Sequence, residues 1–445
     1  PGLANQDRNR GAALWGNLVI SVTGYAGRVI ATDKDTGKIV WDKNLLDQAD
    51  LELTAAPLAL KDTIVVGGSG GDRGLRNWVA ALDPKTGETK WKTYSIPAPG
   101  EPGSETWKDN HNSWQTGGGA FFGTGAYDPS TNLTYWGSGN PVPAYDSSYR
   151  PGDNLYTNSA ISWNPDTGQM NWYFQYTPGD MWDYDAAGTH ILIDSLVAGQ
   201  PRRLVTHSGR NGFLYTMERG NGQMLVAKPY MDNVNWTKGI DQKTGKPLDY
   251  DPGKDIQTYA GIGNLNPSEP PKKVCPSQAG GNNYWPSSYS PQTKLLYIPA
   301  LTACVTVAID RDKHSKERGW NGGNASTTER FESNLTAVDP VTGEVKKSTH
   351  LRYPNYSGTL ATGGGLVFLA LLDGTVAAFD DTTLEELWKI NVGSGFSAPP
   401  MTFEANGKQF VAIVSGPSPV ARGRLLNTPE LREQRNALVL YVFGL

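Results

Sequence analysis

The sequence predicts an all-β fold assembled from repeated hairpins, and three observations carry the prediction. A nine-residue phrase, Asp-x-x-Thr-Gly-x-x-x-Trp, recurs along the 445 residues. Each copy follows a short apolar run of strand length. The composition, with 52 Gly, 30 Pro and 14 Trp against 19% charged residues, suits turns and aromatic packing rather than helical bundles.

The copies run from Asp33 to Trp41, from Asp83 to Trp91 and from Asn164 to Trp172. Looser copies occupy 339–343, which lacks the Trp, and 380–388, where Leu384 takes the Gly place. In each, the acidic or amide side chain and the Thr hydroxyl can bond backbone groups of a tight turn, and Gly supplies the positive φ the turn needs. The Trp then lands on the next strand, where its ring can dock over a neighbouring unit. Trp41 and Trp91 are fifty residues apart, the length of a four-stranded blade with its loops, and the wider gaps that follow leave room for further blades or insertions. The expected architecture is a β-propeller over residues 1–445, a ring of radial blades that closes as one domain at this length.

Forty basic against 44 acidic residues give a net charge of -4, and no basic stripe interrupts the chain, so nucleic acid is not an expected partner. No window approaches the roughly twenty apolar residues of a membrane span. Cys275 and Cys304 fit either a reduced pair or one disulfide, which would close a loop worth roughly 3 to 4 kcal/mol. There is no Cys-x-x-Cys-His for covalent haem.

Nucleophilic catalysis draws little support. His111, His190, His207, His314 and His350 sit in no catalytic context. Gly67-Gly68-Ser69-Gly70-Gly71 fits Gly-x-Ser-x-Gly, but no helical pattern follows, so a turn is expected there. The densest polar chemistry lies between 137 and 190. Asn140 follows the apolar run ending at Trp136, Asp183 and Asp185 are two residues apart, and Asp72 ends the glycine cluster; four hard oxygen donors at strand ends can converge on a cation. Each is equally a common turn residue. Arg10, Arg76 and Arg210 are candidate forks for an anionic ligand or simple surface charges.

Several phrases in order resemble the pyrroloquinoline-quinone (PQQ)-dependent alcohol dehydrogenases of the methanol and ethanol dehydrogenase type. They are Asn9-Arg10-Gly11, Thr54-Ala55-Ala56-Pro57, Ala126-Tyr127-Asp128-Pro129, Gly139-Asn140-Pro141, Arg150-Pro151-Gly152-Asp153-Asn154, Trp182-Asp183-Tyr184, Arg210-Asn211-Gly212, Tyr289-Ser290-Pro291 and Gly407-Lys408-Gln409. The resemblance implies an eight-bladed propeller with the quinone in its central channel over a calcium or lanthanide(III) ion. It implies Asp72, Asn140, Asp183 and Asp185 at the metal, with Asp185 at a position associated with lanthanide-using members. Asp183 matches the general base, and Arg210 can stabilise charge on the quinone oxygen. Arg10, Thr54, Ser69, Arg210 and Asn283 match quinone-bonding positions, and Phe122 the stacking residue beneath its plane.

By the same resemblance Cys275 and Cys304 form a disulfide, the protein is periplasmic, and an alcohol becomes an aldehyde or ketone with electrons passed to a soluble cytochrome c. Phe122, Trp182, Tyr184 and Trp285 suggest an aromatic vestibule for the alcohol, with ordinary packing the alternative for Trp285. The chain departs from the family at Ala4-Asn5, where an adjacent Cys pair is expected, and at Ala120, Phe122 and Asp72, which replace a hydroxyl residue, a Trp and a Glu. Ala4-Asn5, Ala120 and Asp72 favour a rival reading, a propeller scaffold that has lost the redox cofactor, whereas Asn140, Asp183 and Arg210 together favour the enzyme. Pro1 aligns inside the second blade, so completion of the ring by a further segment, a second polypeptide or another copy of the chain is expected.

Overall fold

The computed structural model describes residues 8–261, 270–315, 320–423, 427–431 and 433–444; Ala4 and Asn5 lie outside them. The described residues form eight antiparallel sheets, six of four strands and two of three. Seven follow one another along the chain, over 13–44, 58–94, 126–175, 191–229, 288–351, 359–391 and 401–444. The remaining three-stranded sheet joins Lys272–Val274, Val305–Ile309 and Gly323–Ser326, and is threaded around the first two strands of the fifth.

First strands of adjacent sheets meet: Ala13–Trp15 lies beside Leu58–Ala59, Ala126–Asp128 beside Ile191–Val197, and Ser288–Ser290 beside Thr359–Ala361. Sheets that touch through their first strands radiate from a common centre, the propeller arrangement. Middle strands such as Trp78–Leu82 and Ser159–Trp163 are buried at every residue because another sheet covers each face. Outer strands such as Glu386–Asn391 are exposed throughout.

The repeated phrase builds the turn between the third and fourth strands. Asp33 Oδ1 accepts the N–H and the hydroxyl of Thr36, each at 2.8 Å, and Asp83 and Asp380 do the same for Thr86 and Thr383. Leu384 adopts the left-handed φ of 54° that Gly supplies elsewhere. Trp41 Nε1 donates to Pro84 O at 3.0 Å and Trp91 Nε1 to Pro165 O at 2.8 Å, each reaching the turn of the next sheet. The glycine of that turn also makes room for the ring, since a Cβ on Gly168 would stand 2.6 Å from Trp91 Cδ2.

Two further turns of this kind escape the phrase as written. Glu218 to Gly222 receives Trp172, whose Nε1 donates to Arg219 O at 3.0 Å. Asp241 to Gly245 closes a loop outside the seven sheets.

Candidate active site

The topology collects the expected site residues at one end of the sheets. In an antiparallel meander the start of the first strand and the end of the second lie at the same end. Arg10, Thr54, Phe122, Asp183, Asp185 and Asn283 all precede a first strand, and Ser69, Asp72, Asn140 and Arg210 all lie between a second and a third. Backbone bonds tie these loops within and between sheets: Ser69 N donates to Glu52 O at 2.8 Å, Phe121 N to Gly68 O at 2.8 Å, Gly139 N to Ala120 O at 2.8 Å, Ala186 N to Ser138 O at 3.0 Å and Gly281 N to Arg210 O at 3.0 Å. The glycine cluster forms the expected turn, ending in the short helical turn Gly71–Arg73.

At the centre of the charged group stands Arg210. Its guanidinium pairs with Asp185, lies 3.3 Å from Asp183 Oδ2, and donates to Asp183 O, to Gln278 O at 3.0 Å and to Asn283 Oδ1 at 3.0 Å. Asn140 joins the group through its backbone, whose N–H donates to Asp185 Oδ1 at 2.7 Å. Asp72 is exposed at the rim, and its charge still acts on both carboxyls.

Negative charge is in excess here. Burial pushes the Asp183 carboxyl well above the usual range, opposed by Arg210 and reinforced by Asp185, Asp72 and Asp180. Burial likewise pushes Asp185 up to about 6, against the pull of Arg210. Arg210 itself is raised, since the surrounding carboxylates outweigh its own burial. Among the described residues no three acidic, His or Cys side chains close on one point, and the Arg210 guanidinium occupies the space between Asp183 and Asp185.

A second group at the same end of the sheets carries donors. Thr54 and Ser69 share a hydroxyl hydrogen bond of 2.8 Å. The Arg10 guanidinium lies 5.4 Å from the centre of the Phe122 ring and 4.8 Å from that of Tyr284, and its Nε and Nη1 are buried with no partner among the described residues. A buried cation with idle donors, clamped between aromatic faces, fits a planar anionic ligand. The donor set thus suits both groups the resemblance implies: hard oxygens and surplus negative charge for a cation, and idle guanidinium and hydroxyl donors for a quinone carrying carboxylates.

The aromatic vestibule is corrected. Trp182 and Tyr184 pack into a core cluster with Trp236, ring centres 5.4 and 5.9 Å away, and Trp285 packs on Tyr356 at 4.4 Å while its Nε1 donates to Pro299 O. Only Phe122 of the four is partly exposed. Large rings bury more apolar area in the sheet interfaces than at a wet mouth, so packing prevails. Arg76 is likewise engaged elsewhere, donating to Ile96 O and pairing with Glu101. Sequence reasoning missed Tyr284, Asp180 and the carbonyl of Gln278. Only Asp180 left a signal, an Asp placed to accept the N–H groups of the residues after it.

The pattern of the family described as "PQQ: Glucose/ethanol/alcohol dehydrogenase, beta-propeller domain" matches residues 43–229 and 334–411. The chain is 34% identical over 435 residues to a quinohemoprotein alcohol dehydrogenase of Comamonas testosteroni, covering 92% of this chain and 59% of that protein. It is 34% identical to a lanthanide-dependent methanol dehydrogenase of Methylacidiphilum fumariolicum, covering 92% of this chain and 69% of the relative. A solved europium-containing methanol dehydrogenase superposes with a TM-score of 0.89 at 30% identity, over 98% of this chain and 81% of that one. With the propeller sheets, the carboxylate and arginine group and these likenesses in place, the chain belongs to the PQQ glucose/ethanol/alcohol dehydrogenase family, in its β-propeller domain.

Proposed function

We propose that this chain carries the PQQ site of a periplasmic alcohol dehydrogenase, oxidising an alcohol to an aldehyde or ketone and passing electrons to a soluble cytochrome c. The observation that supports it most is the pairing of Arg210 with both Asp183 and Asp185, beside which Arg10 keeps two buried donors without a partner among the described residues. Asp72, Asn140, Asp183 and Asp185 would hold one lanthanide(III) or calcium ion; Arg10, Thr54, Ser69 and Asn283 would hold PQQ, with Phe122 against its plane. Bound there, PQQ supplies a hydride-accepting carbonyl and the ion a Lewis acid. An eight-bladed ring around the cofactor is the proposed architecture.

The chain's own chemistry follows from its charges. Asp183, oriented by Arg210, would take the hydroxyl proton of the alcohol as a base, with a bound cation offsetting the burial and the neighbouring carboxylates that raise its carboxyl. Arg210 keeps that carboxylate oriented and offers N–H donors where negative charge develops. Asp185 adds a fourth oxygen ligand with a charge, which favours a trivalent over a divalent ion.

The test is reconstitution of the purified protein with PQQ and either europium(III) or calcium. A bound quinone absorption band, one ion per chain and alcohol-dependent dye reduction are expected, with europium retained the more tightly. Neither quinone nor ion retained after gel filtration would leave the scaffold reading in its place.

A further inference from the structure

The segment carrying Asp183 and Asp185 has a strained backbone, since Asp183 is a non-glycine residue at φ 66°. Such a conformation persists only where the surrounding structure fixes it.

Behind the site lies Arg150, wholly buried. Its Nε donates to Pro143 O at 2.8 Å, Nη1 to Asn154 Oδ1 at 2.7 Å, and Nη2 to Ala144 O at 3.1 Å and to Asp180 O. Asn154 Nδ2 returns a bond to Arg150 O at 2.9 Å. One planar group therefore joins the segment just after Asn140 to the residue three before Asp183, linking ligand-bearing loops of two different sheets. The Asp180 carboxylate continues the brace. It accepts the N–H of Trp182 at 3.2 Å and that of Tyr184 at 3.1 Å, the two residues that bracket Asp183. Tyr184, between the two carboxylates, is fixed in turn by its hydroxyl, which donates to Pro276 O at 2.6 Å.

We infer that Arg150 and Asp180 are a positioning pair that preorganises Asp183, Asp185 and Asn140 for a cation, neither of them touching the ion or substrate. This rests on the cation site proposed above for Asp72, Asn140, Asp183 and Asp185. Arginine is required because four acceptors lie around one plane; lysine keeps the charge but not the fork. Groups that orient metal ligands change affinity by about 10- to 100-fold when altered.

The experiment is titration of the full chain with europium(III) alone, read by its luminescence and luminescence lifetime, for wild type, Arg150→Lys, Asp180→Asn and Arg219→Lys. Arg219 is a matched control: a buried arginine bridging Asp128 and Asp194 remote from the site. Arg150→Lys and Asp180→Asn are expected to raise the europium Kd about 10- to 100-fold and to shorten the lifetime as a loosened shell admits water. Arg219→Lys is expected to lower the melting temperature and leave Kd and lifetime unchanged. Wild-type affinity in both site variants overturns the inference alone, and so does an equal loss in Arg219→Lys. Absence of europium binding by wild type overturns the cation site and the inference with it. If Arg150→Lys does not fold, Asp180→Asn decides by the same criteria.

Discussion

In the proposed function Asp183 both meets a cation and takes an alcohol proton, so its amide isostere separates chemistry from folding. Asp183→Asn is expected to lower kcat by about 10²- to 10⁴-fold, the range of a lost general base, with the unfolding midpoint unchanged or raised because a repelled buried carboxyl has gone. Steady-state rates of the reconstituted protein beside a thermal melt check this; ordinary turnover removes Asp183 from the mechanism. Arg10 can be tested in the same way. Its two buried donors have no partner among the described residues, so Arg10→Ala is expected to weaken PQQ retention about tenfold or more while stabilising the quinone-free protein or leaving it unaffected. Equilibrium dialysis against PQQ measures it, and unchanged retention shows that these donors face something else.

At the scale of the element, the docking turn makes a differential prediction. Gly37 and Gly168 occupy the same turn position, with φ 70° and 71°, yet a Cβ meets nothing within 4 Å at Gly37 and the Trp91 ring at 2.6 Å at Gly168. Gly37→Ala should cost only the backbone term, about 1 kcal/mol. Gly168→Ala should cost that plus the overpacking of a displaced indole, about 1 to 3 kcal/mol more. Chemical unfolding of the two variants compares them, and equal losses would mean the ring is not seated on the turn. The phrase was legible because every copy repeats its Asx bonds locally. The turn at 218–222 departs from it at both Glu218 and Asn221, so only its Gly and the docked Trp172 mark it as a copy.

The strands at 191–208 add a pH response. His190 and His207 stack with ring centres 4.3 Å apart and planes 5° apart, and Tyr176 bonds His190 Nε2 at 3.0 Å. Burial depresses both, His190 well below its usual range and His207 to about 4. A histidine depressed on folding binds fewer protons folded than unfolded, so its contribution is present above about pH 6.5 and is lost as pH falls toward 4. For His207 the loss is about 3 kcal/mol. His207→Asn should flatten urea midpoints between pH 7.5 and 4.5; an unaltered slope assigns the acid sensitivity elsewhere.

For the whole molecule, Cys275 and Cys304 are bonded across a separation of 29 residues, as the family resemblance implied and their spacing could not decide. The bond anchors the nested sheet next to Pro276 and Gln278, whose carbonyls receive Tyr184 and Arg210. Cys275→Ser with Cys304→Ser is expected to cost roughly 3 to 4 kcal/mol and to weaken metal retention as well. A melt and a europium titration test the two parts separately, and a loss of stability with unchanged metal retention would confine the bond to the scaffold.

The residues alone determined the repeated hairpins, the all-β class and the order of the site motifs, because turn chemistry and alternating burial act over a few neighbours. Only the tertiary structure decided that Arg210 sits between Asp183 and Asp185, that Asp72 stands at the rim, that Trp182 and Trp285 belong to the core, and that Arg150 braces two loops from behind. Those facts depend on which sheet ends meet around a common centre. That meeting is set by the packing of whole blades against one another, over separations that no local pattern encodes.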